Sequence, residues 1–325
     1  MKKITLLILL VLIASLAFLS TLCFNVKLEN ERSINENTIS SEILYKSKNI
    51  RGVNIFYRES GDPKKPAVLL FHGFPSSSHQ YREVLAALGN EYYVIAPDYP
   101  GFGSSDYPNP EEFEYTFDNI GDLINEFVES FNLNSYVLMM HDYGGPIGFR
   151  IATKHPEKIK ALIIQNANIY EEGLGEAWKD VRELWKANTE ENRQSLFKVF
   201  SLGALKWQYT HGVKNVEKIS PDNWMLDFNV MSRPGMQDVN LDLFYDYRNN
   251  LKLYPLWQEY IRKTQPPLLL VWGRNDAFFP VSGAEAYKKD VPNAEYYTYD
   301  TGHFALEEKG EEIIENIHSF LRKLE

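Results

Sequence analysis

Chemistry-bearing residues gather in Tyr136-Val-Leu-Met-Met-His-Asp-Tyr-Gly-Gly-Pro-Ile-Gly, an apolar run that gives way to a polar pair, two glycines and a helical stretch. Such a run reads as a strand turning at once into a helix. That is the geometry of a nucleophile elbow, in which neighbouring glycines permit a strained bend that aims one side chain outward. The side chain so aimed is Asp142. A helix amino terminus stabilises negative charge, so an aspartate there is expected to be ionised at neutral pH and fit to act as a nucleophile. The plain alternative is a helix-capping aspartate, since Asp is a favoured cap. Gly144 and Gly145 lack the spacing of a dinucleotide or P-loop motif. His79, His155, His211 and His318 have no partners at metal-ligand spacing, and the single cysteine, Cys23, makes neither an internal disulfide nor a thiolate metal centre. No cofactor or metal is called for.

Positioning Asp142 requires a sheet. Two strand-like runs flank Gly52 between Ser47 and Ser60, and six short apolar runs follow at 67–71, 92–96, 136–140, 161–165, 268–272 and 295–299. They alternate with helical stretches, which predicts a parallel α/β sheet buried on both faces. Apolar residues at 117, 120, 123, 124, 127, 128 and 131 form a helical stripe, and residues 311–324 repeat the pattern at the carboxyl end. Between residues 169 and 261 the text is rich in Trp and Tyr and contains no strand pattern. We therefore expect an α/β core over 46–168 and 262–325, interrupted by a helical cap over 169–261.

The 325 residues are 44% hydrophobic and 14% aromatic, ample for a large core and unlike a disordered chain. Asp plus Glu (44) exceed Lys plus Arg (34), a net charge of −10 that argues against a nucleic-acid partner. Residues 1–24 are read separately. Lys2 and Lys3 precede an uncharged apolar run from Ile4 to Phe24, which as a helix would span roughly 31 Å. The expectation is a transmembrane helix acting as anchor, or a signal segment, followed by a linker over 25–45, with the remainder extracytoplasmic or exported. Leu22 before Cys23 is not the small residue that lipoprotein processing prefers.

From about residue 46 onward the chain resembles the α/β-hydrolase superfamily, and within it the epoxide hydrolase and haloalkane dehalogenase group. His72-Gly73-Phe74-Pro75 matches that group's HGxP turn, and His141-Asp142-Tyr143-Gly144-Gly145 its H-D-x-G-G elbow. Asp276, in Trp272-Gly273-Arg274-Asn275-Asp276, stands where the group's charge-relay acid follows the seventh strand, and His303, in Gly302-His303-Phe304, where its histidine follows the eighth. The order nucleophile, acid, histidine is the superfamily's own. The resemblance implies an oxyanion hole from the backbone N–H groups of Phe74 and Tyr143.

An aspartate nucleophile changes the reaction class that this fold would run with serine. A carboxylate attacking an ordinary ester makes only an unstable anhydride, whereas attack on saturated carbon leaves a stable alkyl ester on Asp142. His303, oriented by Asp276, then activates water to hydrolyse that ester, and must be neutral to do so. The expected partners are a small apolar substrate and water. A leaving epoxide oxygen needs a proton, which epoxide hydrolases take from two lid tyrosines. Phe244-Tyr-Asp-Tyr247-Arg248-Asn249 resembles the stretch carrying one of them, so Tyr247 is the first choice and Tyr209 the second. A halide instead wants N–H donors, which Trp178, Trp185 or Trp207 would have to supply. Met140 stands where epoxide hydrolases often have Gly and dehalogenases a larger aliphatic residue, so the two subtypes stay open. The reading from a different class is a non-catalytic binding protein on the same fold.

Overall fold

The computed structural model describes residues 41–324. Eight strands, β1 (Ile43–Ile50), β2 (Val53–Ser60), β3 (Ala67–Phe71), β4 (Tyr93–Pro97), β5 (Tyr136–His141), β6 (Ile159–Gln165), β7 (Leu268–Gly273) and β8 (Glu295–Tyr299), form one sheet in the order β1-β2-β4-β3-β5-β6-β7-β8. β1 and β2 are an antiparallel hairpin closed by Arg51 and Gly52, both at positive φ, and β2 lies antiparallel to β4. From β4 to β8 every pairing is parallel. Helices α1 (Arg82–Leu88), α2 (Phe117–Glu129) and α3 (Gly144–Lys154) connect the first half.

The period-two pleat explains how one sheet builds two cores. Leu69, Phe71, Leu138, Met140, Leu162 and Ile164 face α2 and α3. Their alternates Val68, Leu70, Val137, Met139, Ala161 and Ile163 face α1 on the other side. Each such fully buried aliphatic side chain contributes about 1.5–3 kcal/mol, so the central strands admit no polar interruption until their carboxyl ends. β8 departs from the sequence expectation of a strand buried on both faces. As the edge strand it pairs only with β7, and Tyr297 and Thr298 are exposed.

Between β6 and β7 the chain forms no strand and runs through α4 (Lys179–Lys186), α5 (Glu190–Leu196), α6 (Leu202–Thr210), α7 (Pro221–Met231) and the long α8 (Met236–Thr264). Trp178, Leu205 and Tyr247 of this segment join the same apolar cluster as α2 and α3. Helices α9 (Val281–Asp290) and α10 (Ala305–Arg322) complete the fold.

The expectation of a membrane-anchored or exported protein is corrected. Among the described residues no helix is long and apolar enough to cross a membrane. The apolar run Ile4–Phe24, on which the transmembrane, signal and extracytoplasmic readings depended, lies outside the described residues.

Candidate active site

β5 delivers its last residue, His141, into a bend where Asp142 adopts φ +50°, a left-handed conformation that L-residues avoid unless the surroundings enforce it. Two glycines make the bend possible. A Cβ on Gly144 would fall on the Phe71 carbonyl oxygen, and one on Gly73 would strike the Asp142 side chain. The backbone of the 72–75 turn therefore lies directly against the carboxylate. The Phe74 N–H donates to Asp142 Oδ1 at 2.6 Å, and the Tyr143 N–H acts on the same group. Burial pushes the Asp142 pKa up to about 6, while His303 and these two N–H donors pull it down. At neutral pH the group is mostly ionised despite being 6% exposed.

His303 follows β8 and Asp276 follows β7. Asp276 Oδ2 accepts from His303 Nδ1 at 2.8 Å. That bond holds the imidazole proton on Nδ1 and leaves Nε2 as the basic nitrogen. Burial works against the imidazolium, but the carboxylates of Asp276 and Asp142 outweigh it and hold the His303 pKa above the ordinary histidine value. Asp276 is itself held in place. Its Oδ1 accepts from the Phe278 N–H at 2.7 Å, and its Oδ2 also accepts from Asn166 Nδ2 at 2.8 Å. Asn166, at φ +40° just beyond β6, further accepts from the Gly273 N–H at 2.9 Å. Asn166 belongs to none of the motifs, and an amide cannot itself be the charge-relay acid. Its position after a strand was the available signal, and its function is to clamp the acid.

The two histidines of the motifs sit behind the carboxylate. His72 Nε2 accepts from the Tyr99 N–H at 3.2 Å, and Nδ1 contacts the Gly73 carbonyl at 3.1 Å. Burial pushes its pKa down to about 4, so it is neutral and braces the turn. His141 contacts the His303 carbonyl through Nε2 at 3.2 Å and Gln80 Nε2 through Nδ1 at 3.3 Å. Among the described residues no cluster of His, Cys, Asp and Glu could hold a metal ion.

A cavity of about 450 Å³ opens over Asp142 and His303, walled by Phe74, Tyr143, Trp178, Val181, Leu196 and Phe244 among others. A more open groove of about 600 Å³ between Gly52 and Arg233 touches none of these groups. The structure does not bring the two expected lid tyrosines to the cavity wall. The Tyr209 hydroxyl donates to Asp227 Oδ2 at 2.6 Å while its ring stacks on Phe304 at 3.9 Å. The Tyr247 hydroxyl pairs with that of Tyr254 at 3.3 Å, one layer behind Trp178 and Tyr143. Both side chains are buried, and a buried hydroxyl takes whatever partner lies within reach. Trp178 and Trp185 likewise spend their indole N–H groups on the carbonyls of Phe278 and Phe244. Trp207 lines the cavity with its indole uncommitted.

The fold agrees with the comparison to known proteins. A family model described as alpha/beta hydrolase fold matches residues 66–310, and the chain belongs to that family as a hydrolase of the superfamily. An uncharacterized hydrolase of Saccharomyces cerevisiae is 40% identical over 272 residues, 82% of this chain and 93% of that protein. Epoxide hydrolase 4 of Mus musculus is 29% identical over 255 residues, 74% of this chain and 68% of that protein. Among solved structures, the ligand-free epoxide hydrolase CorEH superposes with a TM-score of 0.71 at 20% identity, covering 87% of this chain and all (100%) of that one.

Proposed function

We propose that this protein hydrolyses a small to medium apolar substrate, foremost an epoxide, through a covalent ester on Asp142. The observation that carries the reading is a mostly ionised, buried carboxylate that shares an apolar cavity wall with a histidine already oriented by an acid. An Asp142 oxygen attacks the epoxide carbon, the ring C–O bond breaks, and its electron pair remains on oxygen as an alkoxide that takes a proton from water. Forming the ester removes the negative charge of Asp142, one of the influences that raise the His303 pKa. The imidazole is thereby released towards its neutral, basic form at the step that needs it. Nε2 of His303 takes a proton from water as the water oxygen attacks the Asp142 carbonyl carbon, and Asp276 steadies the imidazolium. Collapse of the intermediate breaks the ester C–O bond while the imidazolium gives its proton to the departing alcohol oxygen. The oxyanion falls to the N–H groups of Phe74 and Tyr143, the former already within hydrogen-bond distance of Asp142 Oδ1.

In this scheme residues 46–168 and 262–325 are the catalytic core and 169–261 the cap that walls the cavity. Tyr209 and Tyr247 are left out of the leaving-group role because their hydroxyls are bonded to Asp227 and Tyr254. An epoxide leads because a relative aligned over most of this chain is named an epoxide hydrolase. Dehalogenation is the second reading, favoured by the uncommitted Trp207 indole on the wall. The test is His303→Gln, which leaves attack intact and removes the base for hydrolysis. Incubation with styrene oxide should leave a stable adduct on the peptide containing Asp142, read by mass spectrometry. An inactive variant with no adduct, from a wild type that does turn over, refutes the scheme.

A further inference from the structure

Two side chains of the cavity wall carry a polar group with no protein partner and almost no solvent, the Gln208 amide and the Tyr143 hydroxyl. Gln208 is 4% exposed, lines the cavity with Asp142 and His303, and its amide makes no hydrogen bond among the described residues. The Tyr143 hydroxyl is closed off from any space that would admit a water, and the charged groups and the serine of that wall are engaged. Asp142 accepts from Phe74, His303 donates to Asp276, Asp180 pairs with Lys198, and the Ser201 hydroxyl bonds the Lys198 carbonyl and the Ala204 N–H. Gln208 sits on α6 four residues after Ala204, so both lie on one helix face, and the small Ala204 leaves open space beside the amide. The next residue, Tyr209, turns away to Asp227. A buried amide without a partner costs stability, and folded proteins retain few of them. One facing a cavity beside a nucleophile fits a site whose missing partner is the ligand.

We propose that Gln208 is the polar anchor for the substrate, holding the oxirane oxygen of an apolar epoxide while Asp142 attacks the adjacent carbon. The inference rests on the aspartyl-ester reading and assigns the group that replaces the two lid tyrosines. As the ring C–O bond breaks, its electron pair settles on the oxygen that accepts from the Gln208 N–H. An amide surrenders no proton, so the alkoxide is protonated by water, and the hydroxide left behind is neutralised by the proton released when ester hydrolysis returns Asp142 to its carboxylate. The resulting hydroxyl is a donor that Oε1 of the same amide can accept, and this two-sided match suits an oxygen leaving group better than a halide, which never becomes a donor.

Single-turnover reactions of wild type, Gln208→Leu and Gln208→Glu with styrene oxide separate the steps, following the mass of the Asp142 peptide over time. Both variants should form the ester about tenfold or more slowly, the scale for losing a donor to developing negative charge. They should hydrolyse the preformed ester at the wild-type rate, and Gln208→Leu should melt no lower than wild type. Ester formation at the wild-type rate in both variants overturns the proposal and leaves the reading of Asp142 standing. So does a Gln208→Leu protein that melts lower and loses both steps equally, since that marks a structural residue. A wild type that turns over styrene oxide without ever carrying an adduct overturns the aspartyl-ester reading itself.

Discussion

Replacing Asp142 by Asn should abolish turnover and, at neutral pH, stabilise the fold. Burial raises the Asp142 pKa from 3.8 to about 6, so the folded protein holds this proton more tightly than the unfolded chain does. An acid with a raised folded pKa contributes its penalty only when ionised. The penalty is nearly absent below the unfolded pKa, grows as pH rises from about 4 to 6, and is complete above that. Two pKa units at about 1.36 kcal/mol each give roughly 3 kcal/mol at pH 7.5. Asparagine removes the charge, tolerates the left-handed backbone at φ +50°, and can still accept from the Phe74 N–H. Its amide N–H₂ needs a new acceptor, which takes back about 1 kcal/mol. The net gain of about 2 kcal/mol corresponds to a melting temperature roughly 4–8 °C higher in a protein of this size. The assay is thermal unfolding of wild type and Asp142→Asn between pH 4 and 8. The gap should narrow to under about 1 kcal/mol by pH 4, where the folded state is protonated and the unfolded state about half so. A variant that melts lower at pH 7.5, or a gain that does not change with pH, refutes the argument.

Two further outcomes follow from the same geometry. The rate of ester formation should fall as pH drops through about 6, where Asp142 takes up its proton, and rapid-quench measurements from pH 8 to 4.5 would show it; a flat profile speaks against Asp142 as nucleophile. Tyr209→Phe should cost about 1–3 kcal/mol of stability, because it strips the only hydrogen bond described for the buried Asp227 carboxyl, yet leave the ester-forming rate within about twofold. A large loss of that rate in a well-folded variant would return Tyr209 to the site.

Much of the fold is legible along the chain because its causes are local. Five-residue runs such as Ala67–Phe71 alternate two apolar faces within themselves, and the stripe on α2 repeats at helical spacing, so each element declares its type without knowledge of its neighbours. The bend at Asp142 is announced locally by the strand just before it and by Gly144 two residues on, although the space that demands these glycines is set by the 71–74 segment packed against it. β8 was misjudged because burial of a strand depends on which strands flank it, and nothing within Glu295–Tyr299 says that it will be last in the sheet.

What the chain alone determined is therefore the succession of strands and helices, the strained elbow, and a histidine and an acid that each follow a strand. What tertiary structure decided is which buried polar groups find one another. Asn166 and Asp276 stand 110 residues apart and meet only because β6 and β7 are neighbours. Tyr209 looks like a proton donor in the sequence, yet packing of α6 against α7 gives its hydroxyl to Asp227 and leaves the adjacent Gln208 facing the cavity unpaired. The physical reason is that a hydrogen bond needs its donor and acceptor within about 3 Å, and for groups far apart in sequence that proximity is created by the packed core rather than by any local pattern.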